Sequence, residues 1–184
     1  LRVIQAFAAE GRTVDAPRSA LFTQINDSMT ELKKQYDAVG VDLQFTEAGL
    51  SSRGRDHLKY ETVLTKWSAL KKDIEAKPAE ANAAAIASFI GDIRGMIAHS
   101  GDTSNLILDP DLDSYYLMDV TLLVMPQTLD RLSVIGSSLY HQMELDLGLT
   151  AEEKINAAVI SRMLKEADVD RITADMDTSY KEDP

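Results

Sequence analysis

From Tyr115 onward the apolar residues fall at Tyr115, Met118, Leu122, Met125, Leu129, Leu132, Gly136, Leu139 and Met143. The steps alternate between three and four, which holds one face of an α-helix apolar over many turns and is the spacing of a bundle seam. Such a helix cannot bury its stripe alone and needs other helices beside it. The rest of the chain supplies them. Leu21, Ile25, Met29, Leu32, Tyr36 and Val39 form a second stripe, and Tyr60, Val63, Leu64, Trp67, Leu70 and Ile74 a third. Ile86, Phe89, Ile90, Ile93 and Ile97 make a fourth. No segment alternates as a strand would, and there is no internal repeat or low-complexity tract.

The breaks between stripes are chemically clear. Leu1, Ile4, Phe7 and Ala8 mark a short first helix that Gly11 can end, and Pro17 suits the first position of the next. Gly40 closes that helix, and residues 43–55, with Gly49, Ser51, Ser52 and Gly54, read as a loop, with helical content at its start left open. Lys77-Pro78 ends the helix that begins near Asp56, because a residue before proline is pushed out of the α region; a helix resumes near Ala81. Thr150-Ala151-Glu152-Glu153 is a capping box opening a last helix, whose weaker stripe is Ile155, Val159, Met163, Val169, Ile172 and Met176. Pro126 lies inside the long seam helix, leaves the carbonyl of Leu122 without its usual donor and predicts a kink there. Helices of twenty to thirty residues are ~30–45 Å long. Joined by short connections, they predict an all-α, elongated, antiparallel up-and-down bundle, four-helix-bundle-like with room for extra short helices, spanning 1–184 as a single domain.

Composition narrows the function. At 184 residues the chain can bury a real core. A formal charge of −11 disfavours non-specific binding to nucleic acid or to an anionic membrane surface. The absence of cysteine excludes disulfides, thiolate metal sites and a cysteine nucleophile. No run approaches the ~20 apolar residues of a membrane span. The chain begins at Leu1 without a signal-like segment, which fits a fragment of a larger protein or a mature processed one.

Only one stretch departs from generic amphipathic helix: Ser104-Asn105-Leu106-Ile107-Leu108-Asp109-Pro110-Asp111-Leu112-Asp113-Ser114-Tyr115-Tyr116-Leu117-Met118-Asp119. Its alternating aspartates suggest a calcium loop, but Ser114 and Val120 stand where that loop needs glycine and glutamate. Helix capping accounts for them better: Asp109 as N-cap, Pro110 at the first helical position, and Asp111 and Asp113 in the first turn. Ser100 and Ser104 fall on the preceding apolar stripe, with Asn105 beside them, and Tyr115 and Tyr116 follow the turn. Tyrosine hydroxyls need partners when buried, and pockets in bundles form between helices, so this group is a candidate ligand site. Arg53 and Arg55 head a locally basic segment and are the first candidates for an anionic ligand. His57, His99 and His141 lack a second ligand at metal-site spacing, so no metal or other cofactor is expected. No nucleophile, phosphate-binding or dinucleotide motif is present, and catalysis is not expected.

The stretch "SNLILDPDLDSYYLMD", the following "MPQTLDRL" and Trp67 in Lys66-Trp67-Ser68-Ala69-Leu70 together resemble the extracytoplasmic sensing regions of bacterial transmembrane receptors, both sensor histidine kinases and methyl-accepting chemotaxis proteins. The resemblance implies a periplasmic, non-catalytic helical-bundle input domain, flanked in the whole receptor by transmembrane helices absent from this chain, and homodimeric there. It adds Trp67 to the candidate ligand-binding residues and implies that an unidentified small molecule or periplasmic partner protein is sensed, its occupancy transmitted by helix shifts to a cytoplasmic output module. The alternative is a structural or protein–protein interaction bundle with no small ligand.

Overall fold

The computed structural model describes residues 15–77, 79–144 and 148–183. Every regular element among them is helical, as the sequence pattern predicts. The helix expected at Leu1–Glu10 lies outside the described residues. The chain divides into two compact units, 1–96 and 97–184.

The first unit starts with helix α1, Asp15–Val39. Pro17 falls in its first turn, where an amide N–H would have no intrahelical partner anyway. A short helix, α2 (Glu47–Ser51), stands in the segment expected to be loop. The Thr46 side chain caps it by accepting the Gly49 N–H at 3.1 Å. Gly49 is required here for a second reason: a Cβ would sit 2.3 Å from the Gln44 carbonyl oxygen. A 3₁₀ turn, Asp56–Leu58, leads into α3, Tyr60–Ala76. Lys77 is extended, as a residue before proline must be, and α4 runs Ala79–Thr103.

The core of this unit follows most of the predicted stripes, but Phe22 lies off them and Val39 and Leu64, predicted on them, are exposed. Phe22 and Met29 of α1 meet Tyr60, Val63, Trp67, Leu70 and Ile74 of α3, with Ile86, Phe89 and Met96 of α4. Each such side chain, fully buried, contributes ~1.5–3 kcal/mol. Polar groups carried inside are satisfied: the Tyr60 hydroxyl donates to the Met29 carbonyl (3.0 Å) and the Tyr36 hydroxyl to the Phe45 carbonyl (2.8 Å).

The second unit takes the end of α4, a 3₁₀ turn at Leu106–Leu108, helix α5 (Leu112–Met118), a π-helical segment Asp119–Val124 and α6 (Met125–Glu144). Then come α7 (Ala151–Met163), a second π-helical segment Leu164–Val169 and α8 (Asp170–Glu182). Thr150 and Glu153 form the capping box that the sequence predicts.

Here the predicted stripes are out of phase with the interior. Met118 is buried, yet Met125, Leu129 and Leu132 are 48%, 64% and 48% exposed; the side chains of Leu139 and Met143 lie outside the described residues. On the last helices Ile155, Val159, Met163 and Val169 are likewise exposed. Both stripes cross a π-helical segment. A π turn closes i→i+5 bonds and holds more residues than an α turn, so a 3.6-residue pattern does not keep its phase through it. Pro126, where the sequence predicts a kink, lies just after the π-helical segment Asp119–Val124.

Candidate functional site

The interior of the second unit is lined with charge where a bundle normally has leucine. Asp119, Asp168 and Asp175 are 5%, 1% and 9% exposed. Their positions follow from local structure. Asp119 opens the first π-helical segment, and Asp168 lies in the second. Leu164, Asp168, Ile172, Asp175 and Ser179 step by three and four along the last helices, and all five are buried or half-buried. The inward row that runs from the second π-helical segment into α8 is therefore a seam with carboxylates at two of its positions.

Arginines meet these acids, from another helix for Asp119 and Asp168 and from within α8 for Asp175. Arg131 of α6 pairs with Asp168, its side chain 17% exposed. Arg171 of α8 donates from Nη2 to Asp119 Oδ1 at 2.6 Å, and its Nε lies 3.7 Å from Asp175 Oδ2. Nearby, the Ser179 hydroxyl donates to the Asp113 carbonyl of α5 at 2.9 Å. Two cations thus face three anions. One oxygen of each acid, the Oδ2 of Asp119, Asp168 and Asp175, is buried without a hydrogen-bond donor among the described residues. Burying a carboxylate oxygen unpaired is costly, so this core trades stability for something else.

The cost is visible in proton affinity. Burial, reinforced by the neighbouring Asp119 carboxyl, pushes the Asp175 carboxyl up from 3.8 to about 6, against the opposing pull of the Arg171 guanidinium. Two carboxyls sharing one site cannot both ionise freely. The arrangement favours the protonated form of Asp175.

The residues singled out from the sequence fall into both units. Trp67 is 2% exposed in the core of the first, its ring between Phe22 (5.8 Å) and Phe89 (5.6 Å) and its Nε1–H donating to Asn26 Oδ1 at 2.9 Å. Arg53 and Arg55 flank Gly54 in the same unit, and the Arg53 guanidinium donates to the Gly49 carbonyl at 3.2 Å. Ser100, Ser104, Asn105, Tyr115 and Tyr116 belong to the second. Ser100 is half-buried, while Ser104 is exposed and donates to the Gly101 carbonyl at 3.2 Å. Asn105 takes the left-handed conformation (φ 64°) that ends α4. The half-buried rings of Tyr115 and Tyr116 meet edge to face, 5.3 Å apart.

The aspartate turn differs from the expected cap. Pro110 holds Asp109 extended, so the N-cap falls two residues later, at Asp111. The Asp109 carboxylate instead accepts the Asp111 N–H at 3.1 Å, and the Asp111 carbonyl accepts the Tyr115 N–H and the Ser114 hydroxyl. Asp113 lies in the first turn of α5, as expected.

Asp119, Arg131, Asp168, Arg171 and Asp175 were not among the residues singled out from the sequence. One signal was present: acids at positions 168 and 175 are seven apart, the repeat of a helical seam. Comparison with protein-family models, with curated proteins and with solved structures finds no match for this chain.

Proposed function

We propose that this chain is the signal-sensing, extracytoplasmic input domain of a bacterial transmembrane receptor, a sensor histidine kinase or a methyl-accepting chemotaxis protein. In this reading it is non-catalytic, lies in the periplasm between two membrane spans outside the chain, and is homodimeric in the receptor. It binds a small molecule or partner protein beside the Ser104–Tyr116 turn and passes the event on as a helix shift.

One observation carries the reading. The two segments that resemble such receptors, residues 104–119 and 125–132, contain Asp119 and Arg131, which pair with Arg171 and Asp168 on the last helices. A buried ion pair is weak support for stability, and its best-attested use is to specify or switch a packing arrangement. Both pairs sit at π-helical segments, which occur frequently at functional sites. A ligand that favours one packing over another needs only differential affinity to shift such an element.

The test is a thermal-shift and calorimetric screen of the isolated chain against metabolites, followed by Tyr116→Ala in the full receptor. The expected result is one ligand class that raises the melting temperature, and a variant receptor blind to it. If no compound shifts the melting temperature and Tyr116→Ala signals normally, the ligand site is wrongly placed.

A protein-interaction bundle is the second reading, and the exposed apolar row Met125, Leu129 and Leu132 favours it. Under it, charge substitutions on that row abolish signalling or assembly while the ligand screen stays blank.

A further inference from the structure

We infer that Asp119 and Asp175 bind one proton between them in the packed state and act as a pH-sensitive latch fastening α8 to the π-helical segment Asp119–Val124. The latch stands on these side chains alone and does not depend on the receptor reading.

Three groups define it: two carboxyls nine-tenths or more buried, and the guanidinium of Arg171, half-exposed at the edge. Arg171 satisfies Asp119 Oδ1, leaving the Oδ2 of both acids without a donor. A single proton between the carboxyls supplies that missing hydrogen bond and brings the group to neutrality. Without it, two buried anions share one guanidinium that is turned partly to water. Their repulsion then acts directly across the contact between α8 and the π segment.

The ionisable groups on the elements packed against α8 leave this arithmetic unchanged. Asp113, Tyr115 and Tyr116 lie on α5. On the second π segment Lys165 is engaged by Asp170, Glu166 by Arg162 and Asp168 by Arg131. Among the described residues, Arg171 is the cation paired with both acids. The upward displacement of the Asp175 carboxyl to about 6 agrees in sign. The folded pair holds its proton more tightly than the free acid does. The latch is therefore shut at low pH, weakens from about pH 4 upward and is lost as pH climbs through about 6.

The test uses the isolated chain at constant ionic strength. Carboxyl-carbon NMR across pH 3–8 is expected to show Asp175 titrating near 6. Amide hydrogen exchange, corrected for its intrinsic pH dependence, is expected to rise about tenfold in 170–182 between pH 4.5 and 7. Asp175→Asn is expected to abolish that rise. Titration of both carboxyls near 4, or an equal exchange rise in Asp175→Asn, would overturn the latch. If Asp175→Asn does not fold, Asp119→Asn serves in its place, and the wild-type titration decides by itself.

Discussion

Removing Arg131 tests the charged core most sharply. Asp168 is 1% exposed, and one of its oxygens already lacks a donor, so Arg131→Ala strands a buried carboxylate with no partner. A contact ion pair at the effective dielectric of a protein is worth about 4 kcal/mol in Coulomb energy, and breaking a buried pair from one side costs ~3–5 kcal/mol. Whole-domain stability is ~5–15 kcal/mol, so the variant is expected to lose a large share of it. Urea unfolding followed by two probes resolves where the loss falls. Trp67, the only tryptophan, reports on the first unit, whereas far-ultraviolet circular dichroism reports helix throughout. The dichroism transition is expected to move to much lower urea. The double variant Arg131→Leu, Asp168→Leu removes both charges, strands neither, and is expected to recover most of the loss or exceed the parent. A cost below about 1 kcal/mol for Arg131→Ala would refute the view that Asp168 is a buried, paired anion.

Other outcomes follow from the same geometry. Asp175 rises from 3.8 to about 6 on folding, so its contribution is complete below about 4 and is lost as pH climbs through 6. The ceiling is ~3 kcal/mol, and ~1–2 kcal/mol is expected because half-exposed Arg171 lets solvent screen the pair. Asp175→Asn is accordingly expected to be more stable than the parent at pH 8 and no more stable at pH 5, measured by denaturant midpoint. Leu129→Lys is expected to leave the melting temperature of the isolated chain nearly unchanged, since Leu129 is 64% exposed; a large drop would restore the unbroken seam. Trp67→Ala is expected to cost ~3–5 kcal/mol in the first unit, by cavity formation and the loss of the Asn26 hydrogen bond.

The first unit was largely legible from its residues. Its stripes run through uninterrupted α-helix, so Val63, Trp67, Leu70, Ile74, Ile86 and Phe89 are buried as their spacing requires. The short helix at Glu47–Ser51 was missed because its evidence is one threonine cap on a five-residue segment. The second unit was misread where geometry changes within a helix. Leu129 and Leu132 keep perfect seam spacing and still face outward. The last stripe was taken from its apolar residues alone, although Asp168 and Asp175 define the inward face.

The order of apolar and breaking residues determined, without any tertiary information, that this chain is all-helical and where most of its helices begin and end. Those properties are local: they depend on 3.6-residue periodicity, caps, and proline's missing N–H. Only the tertiary structure decided which face of α6 and α8 turns inward, and that arginines from elsewhere in the unit meet Asp119 and Asp168. The buried carboxylates of Asp119 and Asp168 are met by partners distant in the chain, 52 residues away for Asp119 and 37 for Asp168. Helical spacing holds no information about such a partner.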